Sequence, residues 1–287
     1  MDRRKFVTRS AQAAALLAIF PNIACASTNE DYKGIYTQFG IQLWTLRDII
    51  NANPQKTIAE VGKMGYTQIE SFEGEKGIFW GMKPNEFKSF LDGEGLKLIS
   101  SHCDWKTDLQ RKAAEVASVG GKYLICPWLG PQKSIDDFKN YADLFNKAGE
   151  VCKKEGIKFA YHNHDYSFKE LDGQIPQQLM LDRTDAGLVD FEMDIYWVIT
   201  AGIDPIEYMT KYKNRFKLCH IKDRLKNNSE PFASCTLGEG VIQYPAILKK
   251  AKALGMEYFI YEQEKYDDKG VLFDAQQSAD YLKKMKK

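Results

Sequence analysis

The histidines of this chain are few and share one kind of position. The sequence contains four, His102, His162, His164 and His220. Each lies at the end of a short apolar run or immediately after one, as in LKLISSH and FKLCHI. Imidazole nitrogens bind divalent metal ions and transfer protons near neutral pH. A single histidine placed in this way is more often structural, but four placed alike indicate one shared site.

Carboxylates occur at the same positions. Asp194 follows the run GLVDF where a helix is expected to begin, so it is either a helix cap or a metal ligand. The other acidic residues at or after the ends of the runs are Glu70, Asp104, Asp165, Glu170, Asp223, Glu262 and Glu264. Two imidazoles and two carboxylates that converge on one point would bind a divalent metal ion. Such an ion polarises a carbonyl and favours proton abstraction from the neighbouring carbon.

The elements that must position these residues alternate regularly. Apolar runs of strand length are followed in turn by amphipathic segments of helical period, and the runs cover 39–44, 66–72, 96–102, 122–128, 156–162, 188–191, 216–221 and 256–262. Eight strand–helix units predict a single closed α/β barrel, a (β/α)8 TIM barrel, whose sites lie at the carboxyl ends of the strands. An open doubly wound sheet is the alternative, but no glycine-rich phosphate turn follows the first run.

The first 26 residues differ in kind from the rest. Arg3-Arg4-Lys5 precede an apolar segment of ten residues, too short to span a bilayer, and then Ala24-Cys25-Ala26. These features predict a cleaved export signal of the twin-arginine type over 1–26 and a periplasmic protein. Cys25 also offers a lipid-anchored alternative, which we do not favour because Asn22 stands where such signals have leucine.

A polar linker at 27–36 would lead into one barrel domain at 37–287. The formal net charge of +1 becomes −2 without the four basic residues and one acid of the leader. No basic run remains, so we expect no nucleic-acid partner. The five remaining cysteines are widely spaced and predict no disulfide scaffold. We expect a small-molecule partner and no membrane span, and a homo-oligomer is compatible with the sequence.

Tryptophans lie near the same strand ends. We assign Trp105 and Trp197 to a pocket rather than to the core, because aromatic rings stack on sugar faces while polar groups bind the hydroxyls. Glu70, His102 and His164 are the polar candidates for substrate hydroxyls.

Six motifs occur in an order that resembles a known family. They are GIQLWTLRD (40–48), LKLISSH (96–102), YHNHDYSF (161–168), FEMDIYWV with AGIDP (191–205), HIKDR (220–224) and LGEG (237–240). The chain resembles the xylose isomerase-like barrels, the sugar phosphate isomerase/epimerase proteins. This resemblance implies a metal bound by Asp194, His220 and Glu262. The family's fifth-strand ligand is usually a glutamate; here we assign His162, with His164 or Glu170 as alternatives.

The departure on strand five affects the expected chemistry. In epimerases of the family, two metal-bound glutamates move the proton on opposite faces of the substrate, and Glu262 is the one that remains here. The catalytic candidates are therefore Glu262, His162 and Lys222. A lysine near a metal can have a lowered pKa and act as acid or base. The alternative for Lys222 is an ion pair with Asp223 or Glu262.

These observations predict an enzyme that uses a divalent ion such as Mn, Co, Zn or Mg. Its expected activity is isomerisation or epimerisation of a sugar or keto-sugar by proton abstraction next to a carbonyl. Export and the missing phosphate turn favour a non-phosphorylated sugar or glycoside. The alternatives are a lyase or hydratase that acts on keto-glycosides by β-elimination, and a non-catalytic sugar-binding protein.

Overall fold

The predicted alternation of strands and helices is confirmed. A computed structural model describes residues 38–226, 230 and 232–285; the predicted export signal and linker lie outside them. Eight parallel strands form a closed barrel in which β1 pairs with both β2 and β10. The barrel strands are β1 (Gly40–Gln42), β2 (Gln68–Phe72), β3 (Lys97–His102), β4 (Tyr123–Cys126), β5 (Lys158–His162), β6 (Val189–Asp194), β7 (Phe216–Ile221) and β10 (Tyr258–Tyr261).

Helices follow the barrel strands and cover the outside of the sheet. They are α1 (Arg47–Ile50), α2 (Pro54–Met64), α3 (Pro84–Gly93), α4 (Leu109–Ser118), α5 (Ile135–Lys154), α6 (Pro176–Arg183), α7 (Ile195–Thr200), α8 (Pro205–Lys211), α9 (Tyr244–Ala253) and α10 (Val271–Lys284). Short 3₁₀ turns occupy Leu43–Leu46 and Asp165–Phe168.

Local sequence accounts for several of the helix ends. Ser134 and Asp137 form the predicted capping box at the start of α5, each accepting from the other's backbone N–H. Gly65 ends α2 with a φ of 92°, a left-handed conformation that glycine adopts at little cost. In the described part of the chain, no helix is both long enough and apolar enough to span a bilayer.

Strand β6 is longer than the sequence predicted. We expected it to end at Phe191, but its pairing with β7 continues to Asp194, which lies opposite His220. The same barrel edge therefore receives two inward-pointing acidic residues from β6, because side chains two apart on a strand share a face.

The barrel interior changes from apolar to polar along the strands. An apolar layer inside the barrel is formed by Ile99, Tyr123, Ile125, Ala160, Leu218 and Ile260. Toward the carboxyl ends of the strands, the buried side chains are acidic, basic or imidazole, and the site lies there. The five cysteines outside the leader are all buried and unpaired, as expected.

The long loop after β7 is held by one buried carboxylate. Asp223 accepts hydrogen bonds from the backbone N–H groups of Gly238 (2.9 Å), Gly240 (3.1 Å) and Ile242 (3.1 Å). Within this loop, β8 (Asp223–Arg224) pairs antiparallel with β9 (Ser234–Cys235). Asp223 of the HIKDR motif thus binds the backbone of the LGEG motif and anchors the loop.

Candidate metal centre

Asp194 is both a helix cap and a candidate metal ligand. Its Oδ1 accepts the backbone N–H of Trp197 at 3.0 Å and so caps α7. Its Oδ2 is buried, takes no part in this cap and lies 3.0 Å from Lys222 Nζ. That oxygen lies 3.7 Å from His162 Nε2 and 3.8 Å from His220 Nδ1. The two alternatives raised by the sequence are therefore compatible, since each uses a different oxygen.

Three of the four expected ligands form a tight group. The donor atoms of Asp194, His220 and Glu262 lie within 4.8 Å of one another. His220 Nδ1 is 3.1 Å from Glu262 Oε2. His162 joins this group through its Nε2 contact with Asp194, and all four side chains are buried. Two imidazoles and two carboxylates suit ions such as zinc, cobalt or manganese, and the helix cap leaves Asp194 Oδ2 as an acceptor for such an ion.

The alternative fifth-strand ligands lie elsewhere. Glu170 is exposed on the loop after β5 and does not approach the group. His164 lines the adjacent pocket, with its ring centroid 4.8 Å from that of His162. Its buried Nδ1 has no hydrogen-bond partner among the described residues, which leaves it available to a ligand. The geometry thus favours His162 over His164 or Glu170.

A second layer of acidic residues lies directly behind the histidines. Glu192 Oε2 is 3.0 Å from His162 Nδ1, and Glu70 Oε1 is 2.7 Å from His220 Nε2. Glu192 was missed from the sequence, although its spacing of two from Asp194 on one strand places both inside the barrel. The expectation that Glu70 binds substrate does not fit its position. Its side chain is fully buried, and Gln42 and Ser100 also donate to its oxygens.

His102 joins the two buried glutamates and also reaches the pocket. Its Nε2 lies 2.8 Å from Glu192 and 3.1 Å from Glu70. Burial opposes protonation, but the two carboxylates outweigh it and raise the pKa of His102 to about 9. Burial and the charge of Glu70 raise the pKa of Glu192 to about 7. His102 therefore carries a proton at neutral pH and can donate a hydrogen bond.

Lys222 lies among three carboxylates rather than beside Asp223. Its Nζ is 2.6 Å from Glu262, 2.9 Å from Glu264 and 3.0 Å from Asp194. Burial alone would lower the pKa of Lys222, but these three charges hold it well above its usual value. The lowered pKa that we expected is therefore not found. The ion-pair alternative describes the position of Lys222, with Glu262 but not Asp223 as a partner.

Glu264 is a pocket residue whose importance the sequence did not reveal. It lies two residues after Glu262, and its carboxylate borders the cavity with a side chain 18% exposed. Burial raises the pKa of Glu264, and the neighbouring Glu262 adds to this effect while Lys222 opposes it. A carboxyl group with a raised pKa in a pocket has the properties of a general base or acid.

A cavity of about 620 Å³ opens over this group. Its floor includes His102, His162 and Glu262, and its aromatic side chains are Trp44, Phe72, Trp105, Trp128 and Phe232. Trp105 borders the cavity but also packs edge-on against Phe145 and Phe159. Trp197 does not line it. Trp197 is buried under His164 and Phe232, so our assignment of this residue to the pocket does not fit its position.

Comparisons with known proteins agree with this architecture. A family model described as the xylose isomerase-like TIM barrel matches residues 58–285. The chain is similar to the solved structure of a sugar phosphate isomerase/epimerase from Parabacteroides distasonis, with 30% sequence identity and a TM-score of 0.73. The match covers 86% of this chain and 93% of that protein.

Curated relatives include inosose dehydratases. The chain is 25% identical over 185 residues to that of Geobacillus kaustophilus, a match covering 58% of this chain and 59% of the relative. It is 29% identical over 145 residues to the inosose dehydratase of Clostridium perfringens, a match covering 50% of this chain and 45% of the relative. The chain thus spans less than two thirds of the length of these dehydratases. The matched residues, the closed barrel and the ligand group at its rim together show that this chain belongs to the xylose isomerase-like TIM barrel family.

Proposed function

We propose that this protein is a divalent-metal-dependent enzyme that removes a proton next to the carbonyl of an uncharged sugar or keto-sugar. The observation that carries this proposal is the group of Asp194, His220 and Glu262, with His162 Nε2 3.7 Å from Asp194, beneath an aromatic-walled cavity. A sugar-binding protein would need the aromatic side chains but has no use for this buried donor set.

The four donors would hold the ion at the floor of the cavity. When bound, a divalent ion would polarise the substrate carbonyl and stabilise the negative charge formed on its oxygen. Glu264 would accept the proton from the neighbouring carbon, because it borders the cavity beside Glu262. Lys222 holds Glu262 and Glu264 together, with its ammonium within 3.0 Å of both. His102 would donate a hydrogen bond to a substrate hydroxyl from the opposite side of the floor.

The charges of the cavity support a substrate without phosphate. Its lining contains four carboxylates, Glu73, Asp104, Glu262 and Glu264, and a single lysine, Lys106. Away from the ion at the floor, Glu73 and Asp104 oppose only Lys106, so a phosphate group would meet net negative charge at that rim, whereas hydroxyl groups can donate to carboxylates. The aromatic side chains would stack on the apolar faces of the ring.

Of the reactions that begin with this step, β-elimination is the one we place first. The acidic residues suited to proton transfer, Glu262 and Glu264, both follow β10, while the strand-five position holds His162. Burial lowers the pKa of His162 well below its usual value, so it is not a proton donor from the opposite face. The similarity to inosose dehydratases points in the same direction.

Isomerisation or epimerisation is the second candidate. It is favoured by the 30% identity to the Parabacteroides distasonis protein, which is named a sugar phosphate isomerase/epimerase. In this case a proton must return to the substrate from a second group, for which protonated His102 is the available side chain.

Two measurements test the proposal. Metal analysis should find one equivalent of ion in the purified protein and a loss of that ion in Asp194→Asn and His220→Ala. Asp165→Asn, at the rim but outside the donor set, is the matched control and should retain it. Full metal content in either site variant would refute the ligand assignment.

Incubation of keto-sugars in deuterated water then separates the reactions. Elimination yields a product lighter by one water, and epimerisation yields a product that has gained deuterium without a change of composition. Glu264→Gln should retain the metal and lose turnover by about 10²- to 10⁴-fold. No exchange with any keto-sugar would favour a binding protein.

We also infer that the protein is exported. The support is the sequence of 1–26, with its paired arginines, short apolar segment and Ala24-Cys25-Ala26. Amino-terminal sequencing of the protein recovered from the periplasm should show a start just after this segment. Recovery of the uncleaved chain from the cytoplasm would contradict export.

A further inference from the structure

Each candidate histidine ligand has a buried carboxylate behind it. His162 uses Nδ1 toward Glu192, at 3.0 Å, and His220 uses Nε2 toward Glu70, at 2.7 Å. The opposite nitrogens face the outer group. His162 Nε2 is 3.7 Å from Asp194 Oδ2, and His220 Nδ1 is 3.1 Å from Glu262 Oε2. Ligand atoms about 2.0–2.2 Å from a tetrahedral zinc lie at comparable separations from one another.

A neutral imidazole has one donor nitrogen and one acceptor nitrogen. A carboxylate accepts only, so it keeps the proton on the nitrogen that faces it. In His162 that nitrogen is Nδ1. In His220 both nitrogens face a carboxylate, Nε2 toward Glu70 and Nδ1 toward Glu262, so without a metal ion both would carry a proton. The two rings therefore donate to the buried glutamates through opposite nitrogens. His162 Nε2 is left with a lone pair on the side of Asp194, and an ion bound between Asp194 and Glu262 would replace only the Nδ1 proton of His220.

The two carboxylates are themselves fixed and cannot serve the substrate. Both side chains are fully buried. Glu70 accepts from Gln42 at 2.7 Å and from Ser100 at 2.5 Å. His102 lies between the two glutamates, 2.8 Å from Glu192 and 3.1 Å from Glu70. Groups from β1, β2, β3 and β6 thus form one hydrogen-bonded layer beneath the histidines.

We infer that Glu192 and Glu70 are positioning residues: Glu192 sets the tautomer of His162, Glu70 keeps the proton on His220 Nε2, and each directs the opposite nitrogen at the metal position. This inference rests on the metal centre proposed above. It also accounts for the unusual fifth strand: the carboxylate that strand five lacks enters from β6, acting through His162 instead of binding the ion itself.

Metal affinity is the first test. Zinc affinity of the purified protein, measured by competition with a chelator, should weaken about 10- to 100-fold in Glu192→Gln and in Glu70→Gln. Asp190→Asn is the matched control, because Asp190 is buried on the same strand but contacts Tyr123 and Lys158 rather than a histidine. Its affinity should equal that of the unmodified protein. Unchanged affinity in both glutamine variants would overturn the inference.

Metal stoichiometry excludes a competing explanation. His102, His162, Glu192 and His220 also have donor atoms within 4.8 Å of one another. If the unmodified protein bound two zinc ions and Glu192→Gln bound one, the inner layer would be a metal site of its own and the positioning role would be wrong. A single ion, held more weakly in the variants, supports the positioning role.

The imidazole tautomer gives a readout that does not depend on metal. With only four histidines in the chain, nitrogen-15 NMR can resolve each ring. His162 in the metal-free protein should be the Nδ1–H tautomer, and Glu192→Ala should shift it toward Nε2–H. If no metal binds at all, the proposed function fails, while this tautomer result still decides the inference. Should Glu192→Ala not fold, the same spectrum of Glu192→Gln replaces it, with a weaker shift expected.

Discussion

The Lys222 ammonium lies 2.6 Å from Glu262 Oε2, the shortest of its three contacts with site carboxylates. Both side chains are almost completely buried. The lysine therefore supplies positive charge to a group of acids that would otherwise repel one another. A divalent ion would bring further positive charge to the same oxygens, so the lysine and the ion would both offset the negative charge of these carboxylates.

Removal of this lysine should have different effects with and without metal. Lys222→Met leaves buried carboxylates without their cation, and we expect the free energy of unfolding of the metal-free protein to fall by about 3–5 kcal/mol. Saturating metal should recover part of this loss. Denaturant unfolding under both conditions measures it. Lys63→Met, which removes an exposed ion pair with Glu60, should leave the free energy of unfolding nearly unchanged in either condition. If Lys222→Met lowered the free energy of unfolding equally with and without metal, the lysine and the ion would not be offsetting the same negative charge.

Two substitutions of Asp194 should separate its cap from its ligand function. Asp194→Asn keeps an oxygen for the Trp197 N–H but weakens metal binding, whereas Asp194→Ala removes both. The alanine variant should therefore be less stable than the asparagine variant by about 1 kcal/mol in metal-free protein. Neither should show the stabilisation of about 2.7 kcal/mol expected for the unmodified protein at a metal concentration a hundredfold above Kd. Equal thermal stability of the two variants would argue against the cap.

Trp128 and Trp197 should respond in opposite ways to truncation. Trp128 is 52% exposed at the cavity mouth, with its ring centroid 4.4 Å from that of His164. Trp128→Ala should weaken sugar binding by about 0.5–1.5 kcal/mol and hardly alter stability. Trp197→Ala should lower the free energy of unfolding by about 3–5 kcal/mol, because its ring fills the core. Titration calorimetry and denaturant unfolding check the two effects. A Trp197→Ala variant that stayed stable but bound sugar more weakly would indicate that Trp197 contacts the substrate and is not a core residue.

A methyl group at Gly240 should disrupt the loop after β7. A Cβ there would collide with the Asp223 carboxylate and the Arg224 carbonyl, and this carboxylate is the anchor of the loop. We expect Gly240→Ala to cost about 1–3 kcal/mol in unfolding free energy. Gly93→Ala is the control, since a Cβ at Gly93 in α3 meets nothing within 4 Å. It should be neutral or stabilising by up to about 1 kcal/mol. A neutral Gly240→Ala variant would show that Asp223 can move without loss of the loop.

Much of the fold and part of the site could be predicted from the sequence. Strand and helix periods are local, and eight alternating units allow few architectures besides a closed barrel. Because barrel sites lie at the carboxyl ends of strands, the sequence also predicts His162, Asp194, His220 and Glu262 as site residues. The structure groups Asp194, His220 and Glu262, and brings His162 within 3.7 Å of Asp194. The helix-cap function of Asp194 was also readable, since it depends on residues three apart.

The partners of those residues were decided only by the tertiary structure. Glu70 meets His220 across 150 positions of sequence, and Glu192 meets His102 across 90. Such contacts depend on the register of parallel strands and on closure of the barrel, which place inward-facing residues from distant strands in one layer. The same closure put Lys222 among three carboxylates, which raises its pKa instead of lowering it. By itself the sequence determined which side chains reach the carboxyl rim; barrel closure decided which of them face the candidate metal position and which lie behind those residues.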